Sequence, residues 1–444
     1  MNKLLITSIM SLLIGAVWSQ QSFSLSEAKA YALEHNISVR NALQDEEATR
    51  QQYIEFRGMG LPQVDINGSF SNFINLPIQV VDASFLNPNA APGETISFRA
   101  GTEFTASGTL QASQLVFNGS YIVGLKAAEY LQVFQSNATL ISKEDVVFNV
   151  IQAYQLTAVA KENLIFADTM VIITQELIDK QMNYLELGLM KQEEMDQLNY
   201  SLLMTKDANL SAELQYKNAL SLLKYSMGYP MENEINISEE TQNLLNQSAL
   251  SSNDGSYTQN LTYTLIEKQV GLSELDVKNN RFANLPSLNA FFQHTYNAYR
   301  NEFNFFADQP WFPQTVWGLQ LNVPVFSGFT RQARTAQARI RLLKNENLLD
   351  QMTETLKFQS MQAQNNLAGA RSKYKLQEDN IALATSIYNQ ALTKEQIGEG
   401  NSILVTQKYN QIIMAQAQYT ASMIELFKAQ LSLDKIYNNI LPTE

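Results

Sequence analysis

Apolar and polar positions in this chain follow two periods in alternation. Over residues 102–117, Phe104, Ala106, Gly108, Leu110 and Ala112 are apolar or small, and Glu103, Thr105, Ser107, Thr109, Gln111 and Ser113 between them are polar. A period of two predicts a strand with one apolar and one wet face. A half-buried strand in a soluble sandwich carries the same alternation, so the strand alone does not decide the fold. The next stretch does. From Leu125 to Leu187 there is no Gly or Pro, and helix formers dominate. At 1.5 Å per residue this predicts a helix of roughly 95 Å, longer than an ordinary compact core is wide.

The other elements follow in order. Ser24 and Glu27 form a capping-box pattern that opens an amphipathic helix to about Arg57. Leu61-Pro62 ends it, and Val64, Ile66, Gly68 and Phe70 alternate with Asp65, Asn67, Ser69 and Ser71 as a second two-faced strand. Residues 75–101, with Pro77, Pro88, Pro92 and Gly93, read as a long loop. After the long helix, Gly188 predicts a break, and residues 189–227 a further helix closed by Gly228-Tyr229-Pro230. Residues 232–256, rich in Asn, Ser and Glu, read as a linker with a short helix near 240–249.

The second half repeats this order. Arg57-x-x-x-Leu61-Pro62-x-Val64 is matched by Arg281-x-x-x-Leu285-Pro286-x-Leu288, after a helix predicted over residues 257–282. Leu288, Ala290, Phe292, His294, Tyr296 and Ala298 face one way and Asn289, Gln293, Thr295 and Asn297 the other. A loop over residues 301–313 carries Phe303, Phe305, Phe306, Trp311 and Phe312. Its aromatic side chains suit an interfacial belt, a lid or a buried plug. Trp317, Leu319, Leu321, Val323 and Val325 then mark one face of a fourth strand. Leu115-Val116-Phe117-Asn118-Gly119 is echoed by Pro324-Val325-Phe326-Ser327-Gly328, before a helix to Ile397 and a break at Gly398 and Gly400. Near the end, Ile412, Tyr419, Leu426, Leu433 and Ile440 recur every seven residues, with Ala415, Ser422, Ala429 and Ile436 three places on. Shifted back by 210, the pattern reads Leu202, Asn209, Tyr216 and Leu223 with Thr205, Ala212, Ala219 and Ser226. Such a seam packs helices side by side at close range. The chain therefore divides into residues 1–19, a first repeat over 20–230, a linker or equatorial segment over 231–255 and a second repeat over 256–444.

Residues 1–19 read as a signal peptide: Lys3 precedes the apolar run from Leu4 to Val17, and Val17 and Ser19 suit cleavage after Ser19. There is no Cys, hence no acylation cysteine and no disulfide framework. No later apolar run is long enough for a transmembrane helix, so a membrane address requires strands. Forty-three acidic against thirty-one basic residues, a net charge of −12, argue against nucleic acid. Four strands cannot close on themselves. Two copies give eight, whose interior side chains fill, whereas three give twelve and leave a lumen.

The duplicated order of helix, Leu-Pro strand, Val-Phe-x-Gly junction, Gly-broken hairpin and terminal Leu-x-x-x-x-Gly motif (Leu223 to Gly228) resembles the TolC-type outer-membrane efflux proteins, from about Ser24 to Asn438. The resemblance implies a mostly α fold with a β-barrel part. Long antiparallel α-helical hairpins would form a periplasmic α-barrel, and four transmembrane β-strands per protomer a 12-stranded barrel in a homotrimer. It also implies an outer membrane of a Gram-negative cell, a periplasmic membrane-fusion adaptor, an inner-membrane pump of RND or ABC type, and no cofactor or catalytic centre. The family's adaptor-docking tips map onto Leu187, Gly188, Leu189 and Met190 and onto Ile397, Gly398, Glu399, Gly400, Asn401 and Ser402. Its periplasmic gate maps just beyond them. Relatives carry acidic side chains after the second turn, where this chain has Leu404 and Gln407. The first half instead offers Glu193, Glu194, Asp196 and Gln197, either as a ring of charge or as a solvated helix face.

His35 and His294 have no second ligand at metal spacing, and no nucleophile–base set or phosphate loop occurs. The scattered Met residues fit gap-filling. A passive export duct is the leading reading. An exported soluble coiled-coil scaffold is the alternative, a pore-forming toxin a third, and an enzyme the last.

Overall fold

The structure, a computed structural model, describes residues 21–85, 88–250 and 256–441; the predicted signal peptide, residues 1–19, lies outside them. In chain order the elements are β1 (Gln21–Phe23), α1 (Leu25–His35), α2 (Ile37–Gly58), β2 (Gln63–Asn72), β3 (Ile78–Asp82), β4 (Thr95–Arg99), β5 (Phe104–Asn118), α3 (Gly119–Glu186), α4 (Gln192–Met227), β6 (Ile235–Ile237), α5 (Thr241–Leu250), α6 (Leu261–Phe282), β7 (Ser287–Arg300), β8 (Phe312–Asn322), α7 (Thr330–Gln396) and α8 (Ser402–Ile436). They group into two compact units, each drawing on both halves of the chain: residues 45–136 with 266–349, and the remainder.

The first unit holds an antiparallel sheet in the order β2-β5-β7-β8. The four predicted two-faced strands are all present, and β5 pairs with β7, joining one half of the chain to the other. A register shift between Leu115 and Phe117 marks a bulge as β5 ends, and α3 starts on the next residue after Asn118. β8 begins at Phe312, earlier than its pattern suggested, while Val323 and Val325 lie beyond it next to Pro324. Pro has no N–H to give to a ladder, which explains the stop. Residues 75–101 are not a plain loop: β3 and β4 form an antiparallel hairpin, Val80 opposite Ser97. The Pro residues that signalled a loop sit outside these strands.

The second unit is helical and closes on small residues. Leu202, Thr205, Ala212, Ala219, Leu223 and Ser226 of α4 are buried, as are Ile412, Ala415, Ser422 and Leu433 of α8. The seven-residue seam is thus a packing face, and its small side chains let the helices approach. Asn209, its polar exception, donates from Nδ2 to Asp168 Oδ1 at 2.5 Å. The helix read as continuous to Arg57 is two, broken at Asn36, whose N–H donates to Ala32 O and whose Oδ1 accepts from Ser38 N. The capping box at Ser24 and Glu27 is formed. The linker region contains α5 as predicted, and also β6, which pairs parallel to β1 with Ser22 beside Asn236. Three-residue strands carry too little alternation to be read from sequence. Tyr154 ties them down: its Oη donates to Phe23 O at 2.8 Å and accepts from Glu239 N at 3.3 Å.

Four helix ends share one geometry, and they come in pairs 210 residues apart. After α3, the N–H of Gly188 donates to Leu185 O and that of Leu189 to Tyr184 O; after α7, Gly398 donates to Glu395 O and Glu399 to Lys394 O. After α4, Gly228 donates to Tyr225 O and Tyr229 to Lys224 O; after α8, Asn438 donates to Lys435 O and Asn439 to Asp434 O. All four are Schellman closures with the pivotal residue at positive φ, between 57 and 79°. Asn438 is the one residue of the four that is not glycine, and Asn is the side chain that best tolerates this region.

Two predictions follow from the helical unit. At Gly188 an added Cβ has nothing within 4 Å, whereas at Gly228 it would lie 3.0 Å from Asn36 Cα and 3.2 Å from His35 O. Gly188→Ala should therefore cost only the left-handed penalty, about 1–2 kcal/mol. Gly228→Ala should lose a further 1–3 kcal/mol or so by crowding backbone. Thermal unfolding midpoints test the ranking, and equal losses would contradict it. The second concerns Glu144 of α3, which is 2 % exposed and whose Oε1 has no hydrogen-bond partner among the described residues. Burial pushes its carboxyl up to about 7, against the pull of Lys435, whose Nζ is engaged by Asp145 Oδ1 at 2.6 Å. The folded chain holds this proton more tightly than the unfolded chain does. Stability is then fullest below the ordinary value of 4.5 and falls as pH rises through about 7, by roughly 3 kcal/mol. Glu144→Gln should leave the midpoint near the parent's at pH 5 and raise it at pH 8.5; equal shifts at both would refute the assignment.

Candidate functional site

Two surfaces concentrate the unusual chemistry, one in each unit. On the sheet, register sorts the side chains into rows. One face carries Val64, Ala112, Phe292 and Trp317 in one row and Ile66, Leu110, His294 and Thr315 in the next. The other carries Asn67, Thr109, Thr295 and Gln314, with Asp65, Gln111, Gln293 and the apolar Val316 in the adjoining row. Hydroxyls link the wet rows: Thr109 and Thr295 share a hydrogen bond at 3.0 Å, and Ser69 and Ser107 one at 2.7 Å. Ile66 is 81 % exposed and Trp317 76 %. A strand face this apolar and open to water marks a surface that is covered in use.

Some side chains do not match the character of the face on which alternation puts them, Phe291 and His294 among them. Phe291 lies on the wet face, directly opposite Gly318, where a Cβ would stand 3.0 Å from its ring. The glycine leaves room for the ring, and an aromatic opposite a strand Gly was the available signal. His294 lies on the apolar face, its Nδ1 2.6 Å from Thr315 Oγ1, so the polar pair satisfies itself. His35 stacks on Tyr31 with ring centroids 4.0 Å apart. Among the described residues no group of three or more His, Asp or Glu is placed to hold a metal ion. Where the wet face meets the helices of its unit, a cavity of about 880 Å³ is lined by Gln111, Ser113, Gln114, Asn118, Asn289 and Gln320. Phe56, Met59, Leu115 and Phe291 complete the wall, so amides and hydroxyls alternate there with apolar side chains and no charged group lines it.

In the helical unit the two hairpin turns lie where the glycines put them. Leu187 and Leu189 are exposed on either side of Gly188, while Met190 turns inward against Met195 and Leu198. In the second turn Ile397 is exposed beside Gly398, and Glu399 closes the Schellman ring. At Gly400 a Cβ would come 2.9 Å from Glu395 N, so this turn is tighter than its counterpart, where Met190 fits. Asn401 caps α8 by accepting from Leu404 N at 2.9 Å, and Ser402 is the first residue of that helix. One apolar cluster, with Met170, Leu177, Leu198, Tyr388, Val405 and Tyr409, joins the helices that flank both turns. Tyr409 Oη donates to Thr205 Oγ1 at 2.7 Å across it.

The residues just beyond the turns are exposed or half-buried. Glu193, Asp196, Gln197, Leu404 and Gln407 are exposed, and Glu194 is half-buried. Glu194 has a local role: its Oε2 accepts from Lys191 N at 3.4 Å, capping α4 where Lys191 makes no side-chain cap. Asp196 accepts from Gln192 Nε2 at 2.8 Å. Leu404 sits beside buried Val405 yet is itself 39 % exposed, an apolar side chain facing solvent one turn into α8. Among the described residues no helix is long and apolar enough to cross a membrane.

With this geometry in hand, the chain can be set beside known proteins. Residues 267–439 match the sequence profile of a family described as outer membrane efflux protein. No curated protein matches the chain in sequence. In structure it is similar to CusC, whose crystal structures concern folding and transmembrane channel formation, at 16 % identity and a TM-score of 0.72 over 97 % of this chain and 95 % of that one. It is similar to the outer membrane protein VceC of Vibrio cholerae at 12 % identity and a TM-score of 0.68, over 93 % and 95 %. It is also similar to the Campylobacter jejuni CmeC outer membrane channel at 15 % identity and a TM-score of 0.69, over 94 % and 85 %. The fold of the described residues is thus that of these proteins over nearly the whole chain.

Proposed function

We propose that this chain, which has the fold of the outer-membrane efflux channels and matches their family over residues 267–439, is a passive outer-membrane duct. It would conduct substrates outward from an inner-membrane pump and a periplasmic adaptor, in a tripartite efflux or type I secretion system. One observation carries the reading. A four-stranded sheet has one face of Val, Ile, Leu and Trp, another of Ser, Thr, Asn and Gln, and two edges, β2 and β8, with no partner strand among the described residues. In hydrocarbon each unpaired backbone group costs several kcal/mol, so the edges need sister strands. Three copies supply twelve strands and leave an interior wide enough for water. The wet rows then line the lumen and the apolar rows meet lipid. Such a duct needs no catalytic centre, since the pump supplies the energy.

The helix turns are the natural working end. Exposed Leu187, Leu189 and Ile397, held by rigid Schellman closures, offer an adaptor apolar contacts on fixed backbone. Leu404 suits a hydrophobic constriction, and Glu193 with Asp196 a ring of charge at the entrance. The cargo is left to the pump, because an amide-lined wall discriminates little.

The duct reading predicts a protein that needs detergent for extraction, runs as a trimer and conducts ions across a planar bilayer. In that assay Leu404→Ser should raise conductance. Glu193→Gln with Asp196→Asn should weaken cation preference, neither variant removing the cap that Glu194 provides. A soluble monomer with folded strands would remove the duct; normal conductance in both variants would remove only the gate.

A further inference from the structure

The loop between β7 and β8, residues 301–311, need not stand over the mouth of the sheet, and its contacts say where it goes. Phe303 and Phe305 turn back onto the sheet: Phe303 meets Phe70 at 5.8 Å and Phe104 at 6.1 Å, and Phe305 meets Phe70 at 5.5 Å, all edge-on. Phe70 and Phe104 belong to the apolar rows. Phe70 is flanked along β2 by wet-face Ser69 and Ser71, and Phe104 stands opposite Asn72 at the end of the sheet away from the helix junctions. The loop is therefore folded over the rim onto the outside. Arg300, the last residue of β7 and 5 % exposed, holds it there. Its Nη1 donates to Tyr299 O at 2.9 Å and its Nη2 to Pro310 O at 3.1 Å, with the guanidinium 6.0 Å from the Phe305 ring. Outside this pinned core, Phe306 is almost wholly exposed and Trp311 is 40 % exposed, while Tyr299 and Phe312, opposite Thr105 and Asn297, meet each other on the wet face.

We infer that the loop over residues 301–311 is an aromatic collar that seats this end of the barrel in the headgroup–acyl boundary of the outer leaflet, rather than a lid across the lumen. The inference rests on the duct reading. It follows from continuity with the lipid-facing rows and from chemistry: amphipathic aromatic rings favour that boundary. The loop's charges are Glu302 and Asp308, with no Lys or Arg, so it binds through apolar rings and not by pairing with phosphate. Arg300 lies opposite Phe104 on the same face, is covered by the loop, and gives both Nη groups to backbone carbonyls.

Tryptophan fluorescence tests this in the full chain reconstituted in phosphatidylcholine vesicles, because Trp18, Trp311 and Trp317 are its three tryptophans. Trp18→Phe with Trp317→Phe leaves Trp311 as a loop probe; Trp18→Phe with Trp311→Phe leaves Trp317 as a strand probe. Trp311 should be quenched about twofold more by lipid brominated near the headgroup than by lipid brominated near the chain end, and little by aqueous acrylamide. Adding Arg300→Gln should lower the lipid quenching of Trp311 and leave that of Trp317 unchanged, which also reports that the sheet has formed. If acrylamide quenches Trp311 and neither brominated lipid does, while lipid quenches Trp317, the collar is wrong and the duct stands. If lipid quenches neither probe, the duct reading fails as well. Undiminished quenching of Trp311 in the Arg300→Gln chain would overturn the pinning role.

Discussion

Every backbone N–H and C=O in a sheet needs a partner, and this sheet has two rows of them with no partner strand among the described residues. Among the described residues β2 and β8 are edges, each about ten residues long, and apart from Pro313 at the start of β8 neither carries the Lys, Pro or bulge by which soluble proteins blunt an edge. Together with one apolar face, that incompleteness makes the strands intelligible only as part of a larger cylinder. The wet rows, the apolar rows and the scarcity of charge on the strands all fit one requirement, the division of lipid from water that we propose for this sheet.

The helices answer a different constraint. At 1.5 Å per residue the sixty-eight residues of α3 extend roughly 100 Å, and the sixty-seven of α7 nearly as far. Helices of that length gain stability only by packing along their sides, so the seven-residue seam with its Ala, Ser and Thr is what lets each hairpin exist. The Schellman closures then let the chain turn within five residues between hairpin helices, pairing two of the last carbonyls each time. Their recurrence at positions 188 and 398, and again at 228 and 438, shows a duplication kept in backbone geometry where the side chains have diverged.

The fold was largely legible in the sequence because both of its periods are long and regular. Ten or more alternating positions, or sixty without Gly or Pro, leave few alternatives. What escaped reading was short or set by tertiary contact. β1 and β6 are three residues each and are held by Tyr154, far away in the chain. β3 and β4 hide among prolines that lie outside them, and the break at Asn36 rests on one side-chain hydrogen bond. At the working surfaces, alternation placed the faces of the sheet, Phe291 among the wet positions, but it could not show that its ring lies over Gly318. Nor could it choose between collar, lid and plug for the aromatic loop. That depends on Arg300, whose role is visible only once Pro310 O is beside it. Glu194 reads as a gate charge in sequence, and the structure gives it a capping bond that any gating role has to share.

The pairing of β5 with β7 sets the order in which this protein can be made. Ser69 and Ser107, across the β2–β5 ladder, are 38 residues apart, whereas Thr109 and Thr295, across β5–β7, are 186 apart. Closing the longer loop costs only about 1.4 kcal/mol more in chain entropy, so equilibrium hardly notices. Kinetics does, because such distant contacts form slowly. A chain emerging N-terminus first completes the β2–β5 hairpin long before β7 exists, and holds a fifteen-residue apolar-faced strand with a bare edge in the meantime. Biogenesis must shelter that hairpin until the second half arrives, and a cell short of holding chaperones will lose the protein to aggregation at this step.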